Sequence, residues 1–247
     1  MRLLVTRPEP DNERTAAALR DRGHEVLLAP LLRIDSIDDA DLGAPPWAGV
    51  LLTSANGARA VGAHSRRSEF LALPALAVGR SSAEAARAVG FSDVISADGD
   101  AAGLARIAAA RFAGARSPLL YAAGEDRSAD IAGELAKKGL IVRTVVAYRA
   151  VKMQQLPGAV WTALGQGGID GVLHFSRRSA ESYLDCGRDI LRQALTPLHY
   201  CLSMGVAEPL RRAGATRIEV AQRPDEASLL ALVASSVMPT PQSNRLE

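Results

Sequence analysis

The sequence is short of most of the groups that announce a chemistry. Of its 247 residues only two are cysteine, and Cys186 and Cys201 fit neither a disulfide framework nor a metal-ligand spacing. Both are expected to pack as small apolar side chains. The four histidines, His24, His64, His174 and His199, are scattered without ligand spacing, so no metal or cofactor is expected. Aromatic residues make up 4% of the chain, too few for a site built on base stacking. With 29 basic against 27 acidic residues there is no field to attract nucleic acid, and none is expected as a partner. No apolar run is long enough to span a bilayer, which argues against a membrane partner. Met1 leads into a charged, amphipathic segment rather than a leader-like apolar one, from which a cytoplasmic location is expected.

Several motifs are missing as well. No Gly-x-Gly-x-x-Gly follows the first apolar strand and there is no Walker A lysine, so dinucleotide or nucleotide binding has no support. His174 lies close to Ser176, but nothing there marks a nucleophile elbow or a placed acid. A phosphoacceptor receiver would need acidic residues after its first strand and an aspartate ending its third, and neither is found.

What the chain does have is self-similarity. A first segment, a, reads as a strand over Leu3–Thr6, then Arg7-Pro8, then a helix capped by Asp11 or Asn12. That helix runs to about Arg22 and stops at Gly23, before a strand over Val26–Ala29. Its match, a′, begins at Leu119-Leu120-Tyr121, passes Gly124 and a helix to Lys138-Gly139, and ends in Ile141–Ala147. A second segment, b, is the apolar strand Val50–Thr53 running into Ser54-Ala55-Asn56-Gly57 and a helix. It returns as b′ at Gly171–Arg178. A third, c, spans Leu76 to Arg111 with the turn Gly79-Arg80-Ser81-Ser82, and returns as c′ from Tyr200 to Val237 with the turn Ser203-Met204-Gly205. The order a-b-c-a′-b′-c′ marks a duplication.

The length suits two domains of about 100–130 residues. Non-periodic stretches at Leu32–Trp47 and Lys152–Gly168 place the boundaries, because few contacts cross a linker. One domain then combines 1–33 with 152–247, and the other is 37–148, inserted. Hinges fall near 34–36 and 147–151. Each domain is expected to hold a mostly parallel α/β sheet of five strands flanked by helices. Met238–Glu247 reads as a frayed tail, and Arg66-Arg67 as a solvated loop face. No long exposed apolar stripe calls for an assembly, so a monomer is expected.

In open α/β sheets ligands bind beyond the carboxyl ends of the strands. Turns there aim free N–H groups and the positive end of a helix dipole at one point, which suits an anion. Thr53, Ser54, Asn56, Ser81 and Ser82 follow such ends in the inserted domain. Arg7, Ser176 and the backbone at Gly205 do so in the other. Gly57 would let the backbone come close to a ligand. If the domains face each other, these turns line one cleft of hydroxyls, backbone donors and a few arginines, suited to a large polyanion.

Taken together, Leu4-Val5-Thr6-Arg7-Pro8, Leu52-Thr53-Ser54-Ala55-Asn56-Gly57, Val78-Gly79-Arg80-Ser81-Ser82, Tyr121-Ala122-Ala123-Gly124, Val146-Ala147-Tyr148, Phe175-Ser176 and Ala221-Gln222-Arg223-Pro224 resemble the uroporphyrinogen-III synthase family, in order and spacing, over essentially the whole chain. The resemblance implies two α/β domains joined by a two-stranded β connection. It implies a cofactor-independent reaction in which hydroxymethylbilane, a linear tetrapyrrole octacarboxylate, loses water and cyclises with inversion of ring D. Tyr148 matches the tyrosine implicated in the family, and Ser54, Ser82 and Ser176 match positions expected to touch substrate. Arg7 and Asn56 are nominated by turn geometry alone. In the third segment of the second copy, Ser203-Met204-Gly205-Val206 stands where the family has Gly followed by Thr, so backbone N–H groups at Gly205–Ala207 would replace a threonine. A non-catalytic, two-lobed metabolite-binding or regulatory protein of the same fold is the alternative.

Overall fold

The structure, a computed structural model, describes residues 1–44, 46–97, 99, 101–126 and 130–237. The tail expected to fray, Met238–Glu247, lies outside these residues. In chain order the strands are β1 (Arg2–Val5), β2 (Glu25–Leu28), β3 (Leu32–Ser36), β4 (Gly49–Leu52), β5 (Ala75–Ala77), β6 (Val94–Ser96), β7 (Leu119–Gly124), β8 (Val142–Lys152), β9 (Gly171–His174), β10 (Leu198–Cys201) and β11 (Ile218–Val220). The helices are α1 (Asp11–Arg20), α2 (Ala55–Ala63), α3 (Arg67–Leu71), α4 (Arg80–Val89), α5 (Ala101–Arg111), α6 (Ile131–Ala136), α7 (Gly158–Gly165), α8 (Arg177–Cys186), α9 (Leu191–Ala194), α10 (Met204–Arg212) and α11 (Glu226–Val237).

The chain divides into two compact units, one made of Met1–Arg33 with the chain from Val151 onward, the other of Ile34–Ala150. The first unit holds a five-stranded sheet in the order β11-β10-β9-β1-β2, with every neighbouring pair parallel. The second holds a six-stranded sheet in the order β3-β8-β7-β4-β5-β6, parallel from β8 to β6. The repeat explains the match between them. From β2 to β11 the first sheet reads a, b′, c′; from β8 to β6 the second reads a′, b, c. Each sheet is therefore assembled from one copy of each segment type.

Both sheets bury both faces, as parallel strands must when helices form the crossovers. In β4, Val50 and Leu52 enter one apolar layer with Leu120 and Ala122, while Leu51 enters the opposite layer with Leu119, Tyr121 and Ala123. In the first unit Leu4, Val172 and Cys201 pack on one side, and Leu3, Val5, Leu173 and Tyr200 on the other. Leu51 and Leu52 are fully buried, and each such leucine stabilises the fold by about 1.5–3 kcal/mol.

Four expectations need correction. The second sheet has six strands, because Leu32–Ser36 forms the edge strand β3 within what read as a linker. The stretch at Lys152–Gly168 contains α7, whose Val160, Ala163 and Leu164 are buried. Its short length and terminal glycines hide the helical period. Arg66-Arg67 begins a short helix rather than a loop: Arg66 pairs with Glu69 through Nε at 2.7 Å and Nη2 at 2.6 Å, and Phe70 is buried. Neither Asp11 nor Asn12 caps α1. Pro10 holds that position, and Asn12 Oδ1 accepts from the Glu13 N–H at 2.8 Å.

Candidate active site

The strand order of the second unit reverses between β7 and β4. From β7 the chain turns to β8 on one side, and from β4 to β5 on the other. Such a switch point leaves a crevice at the carboxyl ends of the two central strands. Thr53 and Ser54 lie there. Ser54 has extended backbone and caps α2, accepting from the Asn56 N–H at 3.0 Å. Thr53 Oγ1 is 3.0 Å from the hydroxyl of Tyr121 on β7, so this pair spans the switch point. Asn56 Oδ1 accepts from Arg59 Nη1 at 2.9 Å, which keeps that side chain beside its own helix.

Tyr148 reaches the same place through an irregularity in β8. Ala123 pairs with Val146 but Gly124 pairs with Tyr148, so Ala147 is the extra residue of a β-bulge. Its carbonyl accepts instead from the Ile37 N–H at 2.9 Å. Bulges re-aim side chains, and this one sets the phenol of Tyr148 against Gly124. A β-carbon at Gly124 would stand 2.9 Å from the ring, so glycine is what leaves room for it. Burial pushes the Tyr148 phenol above its usual range. A hydrogen bond with Ser54 opposes that shift and Tyr121 adds to it. The phenol is therefore protonated at neutral pH and able to donate.

Gly57 has a different role from the one its position suggested. A β-carbon there would meet the Ala122 carbonyl at 2.6 Å. The close approach is between α2 and β7, and it fixes where Thr53 and Ser54 sit. At α4, Gly79 is the capping residue, Ser81 is half-buried, and Ser82 is only 5% exposed.

In the first unit the corresponding reversal falls between β1 and β9. Ser176 ends β9's turn and caps α8 in a reciprocal capping box: it accepts from the Ser179 N–H at 3.1 Å, while its own N–H donates to Ser179 Oγ at 3.2 Å. Arg7 follows β1, but its charge is met inside the chain. Nη1 lies 2.9 Å from Glu226 Oε2, Nη2 lies 3.5 Å from Asp11 Oδ2, and the guanidinium carbon is 5.0 Å from the centre of the Phe175 ring. Burial raises the Glu226 carboxyl, but the Thr15 hydroxyl with Arg7 and Arg14 outweighs it and holds the group below its usual range. Gly205, in the first turn of α10, is exposed beside Met204, which is 61% exposed.

His174 and His199 form a fully buried pair, Nε2 to Nδ1 at 3.1 Å, with the ring of Tyr183 edge-on to both. Desolvation lowers both histidines, His174 well below its usual value and His199 to about 4. Two neutral rings sharing one hydrogen bond in an apolar layer make a structural pair, not an acid–base device.

Thr53, Ser54, Asn56 and Tyr148 therefore come together in one unit, and Arg7, Ser176 and Gly205 belong to the other. Sequence reasoning missed Tyr121 and the seating of Tyr148 on Gly124. Strand alternation could have placed Tyr121 on the face shared by Leu119 and Ala123. A bulge has no comparable sequence signal. No helix among the described residues is long and apolar enough to cross a membrane.

The sequence model of the uroporphyrinogen-III synthase HemD family matches residues 13–231. No curated protein matches the chain. Among solved structures, a uroporphyrinogen-III synthetase from Helicobacter pylori is similar with a TM-score of 0.65 at 15% identity, over 96% of this chain and 100% of that one. A mutant uroporphyrinogen III synthase from the extremely thermophilic bacterium Thermus thermophilus gives a TM-score of 0.53 at 18% identity, over 96% of this chain and 98% of that one. These likenesses show the shared α/β fold of parallel sheets flanked by helices.

Proposed function

Since the chain belongs to the uroporphyrinogen-III synthase family, we propose that the strand-end hydroxyls around Tyr148 are where its reaction is steered. The chain is a cyclising lyase that converts hydroxymethylbilane to uroporphyrinogen III, with loss of water and inversion of ring D. The family match across residues 13–231 carries this reading.

The chemistry asks for positioning more than for strong acids and bases. The C–O bond of the hydroxymethyl group breaks with the electron pair on oxygen, helped by the electron-rich pyrrole, and an azafulvene cation remains. Left to itself this cation closes to the type I isomer. Held correctly, the substituted carbon of ring D attacks the azafulvene methylene of ring A. The spiro intermediate then breaks its bond to the ring C methylene, remakes it at the free carbon of ring D and loses the proton there, giving type III. Tyr148 donates a hydrogen bond or proton to the departing oxygen, so that water leaves. A weakly acidic phenol supplies about 10²-fold at most. The protonated state favoured by burial supports the role.

Thr53, Ser54 and Asn56, with the α2 N-terminus, hold substrate carboxylates in one unit, with Ser81 and Ser82 at the start of α4 as further contacts. Ser176 and the Gly205 backbone do so in the other. Arg7, already paired with Asp11 and Glu226, has a supporting part. The two units are read as domains, 1–33 with 152–247 and 37–148. β3 and β8, neighbours in one sheet, each carry the chain from one unit to the other, which supports a two-stranded connection. The protein is taken to act as a cytoplasmic monomer, without cofactor.

Incubation with freshly generated hydroxymethylbilane, followed by oxidation and chromatographic separation of the isomers, tests the reading. Type III product is expected. Type I alone, at the uncatalysed rate, would leave a binding protein of the same fold.

A further inference from the structure

We propose that Tyr121 is a positioning residue of this site: its phenol donates to Thr53 Oγ1 and so directs the Thr53 proton outward, to a substrate carboxylate. The inference rests on the function proposed above and deepens it.

Tyr121 lies on β7 with its ring in the apolar layer that also holds Leu51, Leu76 and Leu104, and it is 4% exposed. A hydroxyl carried into such a layer must find a partner. It finds Thr53 Oγ1 at 3.0 Å, across the switch point between β7 and β4. Thr53 itself is half-buried at the strand end, and an oxygen that accepts from Tyr121 still has its own proton to give.

The direction of the bond follows from what each hydroxyl can do. Each has one proton and can accept. A phenol is intrinsically the better donor of the two. If Tyr121 donates, Thr53 keeps its proton for an outside partner, and a carboxylate can only accept. A hydroxyl that is already accepting becomes a stronger donor, because hydrogen bonds in a chain polarise one another. The buried phenol thereby orients and strengthens a contact it does not make itself. One residue on, Ser54 acts on the phenol of Tyr148, lowering its pKa against the effect of burial, so two consecutive hydroxyls of this turn lie beside a phenol.

Steady-state kinetics on freshly generated hydroxymethylbilane test this with Tyr121→Phe, Thr53→Val, Thr53→Ser and the double variant Tyr121→Phe/Thr53→Val. Tyr121→Phe keeps the buried ring and removes only the hydroxyl. It is expected to raise KM about 3–10-fold, the worth of one hydrogen bond, with kcat within about 2-fold. Thr53→Val should raise KM at least as much, Thr53→Ser should restore it, and the double variant should match Thr53→Val alone. An unchanged KM in Tyr121→Phe, or effects that simply multiply in the double variant, overturns the proposal. Thermal midpoints of all four variants separate misplacement of the strand from loss of the contact, since a packing defect would lower kcat and the midpoint together. Wild-type protein making type III product while the cycle proves multiplicative would sink this inference and leave the function standing. Wild-type protein giving only type I would remove the function itself.

Discussion

Gly124 lies so close beneath Tyr148 that a β-carbon built on it would stand 2.9 Å from both Cζ and the hydroxyl oxygen of the phenol. The glycine is buried on β7 at the register shift, where its partner on β8 is Tyr148 itself. Gly124→Ala must push the ring away. Turnover is expected to fall about 10–100-fold, with the type III to type I ratio falling alongside it, because a misplaced group of about 1 Å can have that effect. Unfolding in urea should show a loss of about 1–3 kcal/mol from overpacking. Full activity in this variant would show that the seat of the ring does not matter.

Tyr148→Phe asks a narrower question, since it keeps the ring on Gly124 and removes only the donor. Turnover should drop by up to about 100-fold, with KM little changed. The pH dependence has a definite sign. Burial raises the phenol's pKa, so Tyr148 stays protonated through neutral pH. Activity should fall only on the alkaline side, above the usual tyrosine value of about 10, and that limb should be absent in Tyr148→Phe. Turnover and isomer ratio equal to wild type would strip the residue of its role.

The buried His174–His199 pair predicts how the first unit responds to acid. Both rings are neutral when folded, and desolvation holds His199 at about 4 and His174 well below its usual value. The unfolded chain takes up protons below about 6.5, so it binds more protons than the folded one in that range. The stability is fully present above about 6.5 and is lost as pH falls towards 4, at about 1.4 kcal/mol per pH unit for each histidine. His199→Asn should roughly halve the slope of unfolding free energy against pH between about 6 and about 4.5. An unaltered slope would place the acid sensitivity elsewhere.

Arg7 gives the opposite expectation to the serines. Its guanidinium is 2.9 Å from Glu226 and 3.5 Å from Asp11, with side chains only 15–25% exposed. Arg7→Lys keeps the charge but cannot reproduce the fork that meets both carboxylates. It should lower stability by about 1–3 kcal/mol while changing KM less than about 3-fold. Denaturant titration beside steady-state kinetics separates the two. A large rise in KM without loss of stability would return Arg7 to the substrate.

The sequence made the repeat readable, because apolar strand, polar turn and helix recur at matching intervals whatever the tertiary details. Ser54 and Ser176 were visible for the same reason: a serine between a strand and a helix is a cap by local chemistry, and both caps are formed. The rest depended on partners far away in the chain. Gly57 read as room for a ligand, yet the atom it makes room for is the carbonyl of Ala122. Tyr121 read as one more strand residue, and only the pairing of β7 with β4 brings Thr53 within reach of it. The bulge at Ala147 leaves no trace in the pattern of β8, because it falls within the unbroken apolar run Val145-Val146-Ala147-Tyr148, which has no alternation to disturb. β3 and α7 were lost among prolines and glycines, where short elements held by tertiary packing look like connections.

The exchange of segments between the sheets has a consequence for how the protein is made. Ile34–Ala150 is one unbroken stretch, so the strands from β4 to β8 can pair as soon as that stretch has left the ribosome. Leu3, by contrast, pairs with Gly171, and the strand beside β9 comes later still. The first-synthesised strands must therefore wait, with Leu3, Leu4 and Val5 still uncovered on one edge, until most of the polypeptide exists. Closing so long a loop is slow, and nascent chains halted before β9 should expose that edge to chaperones.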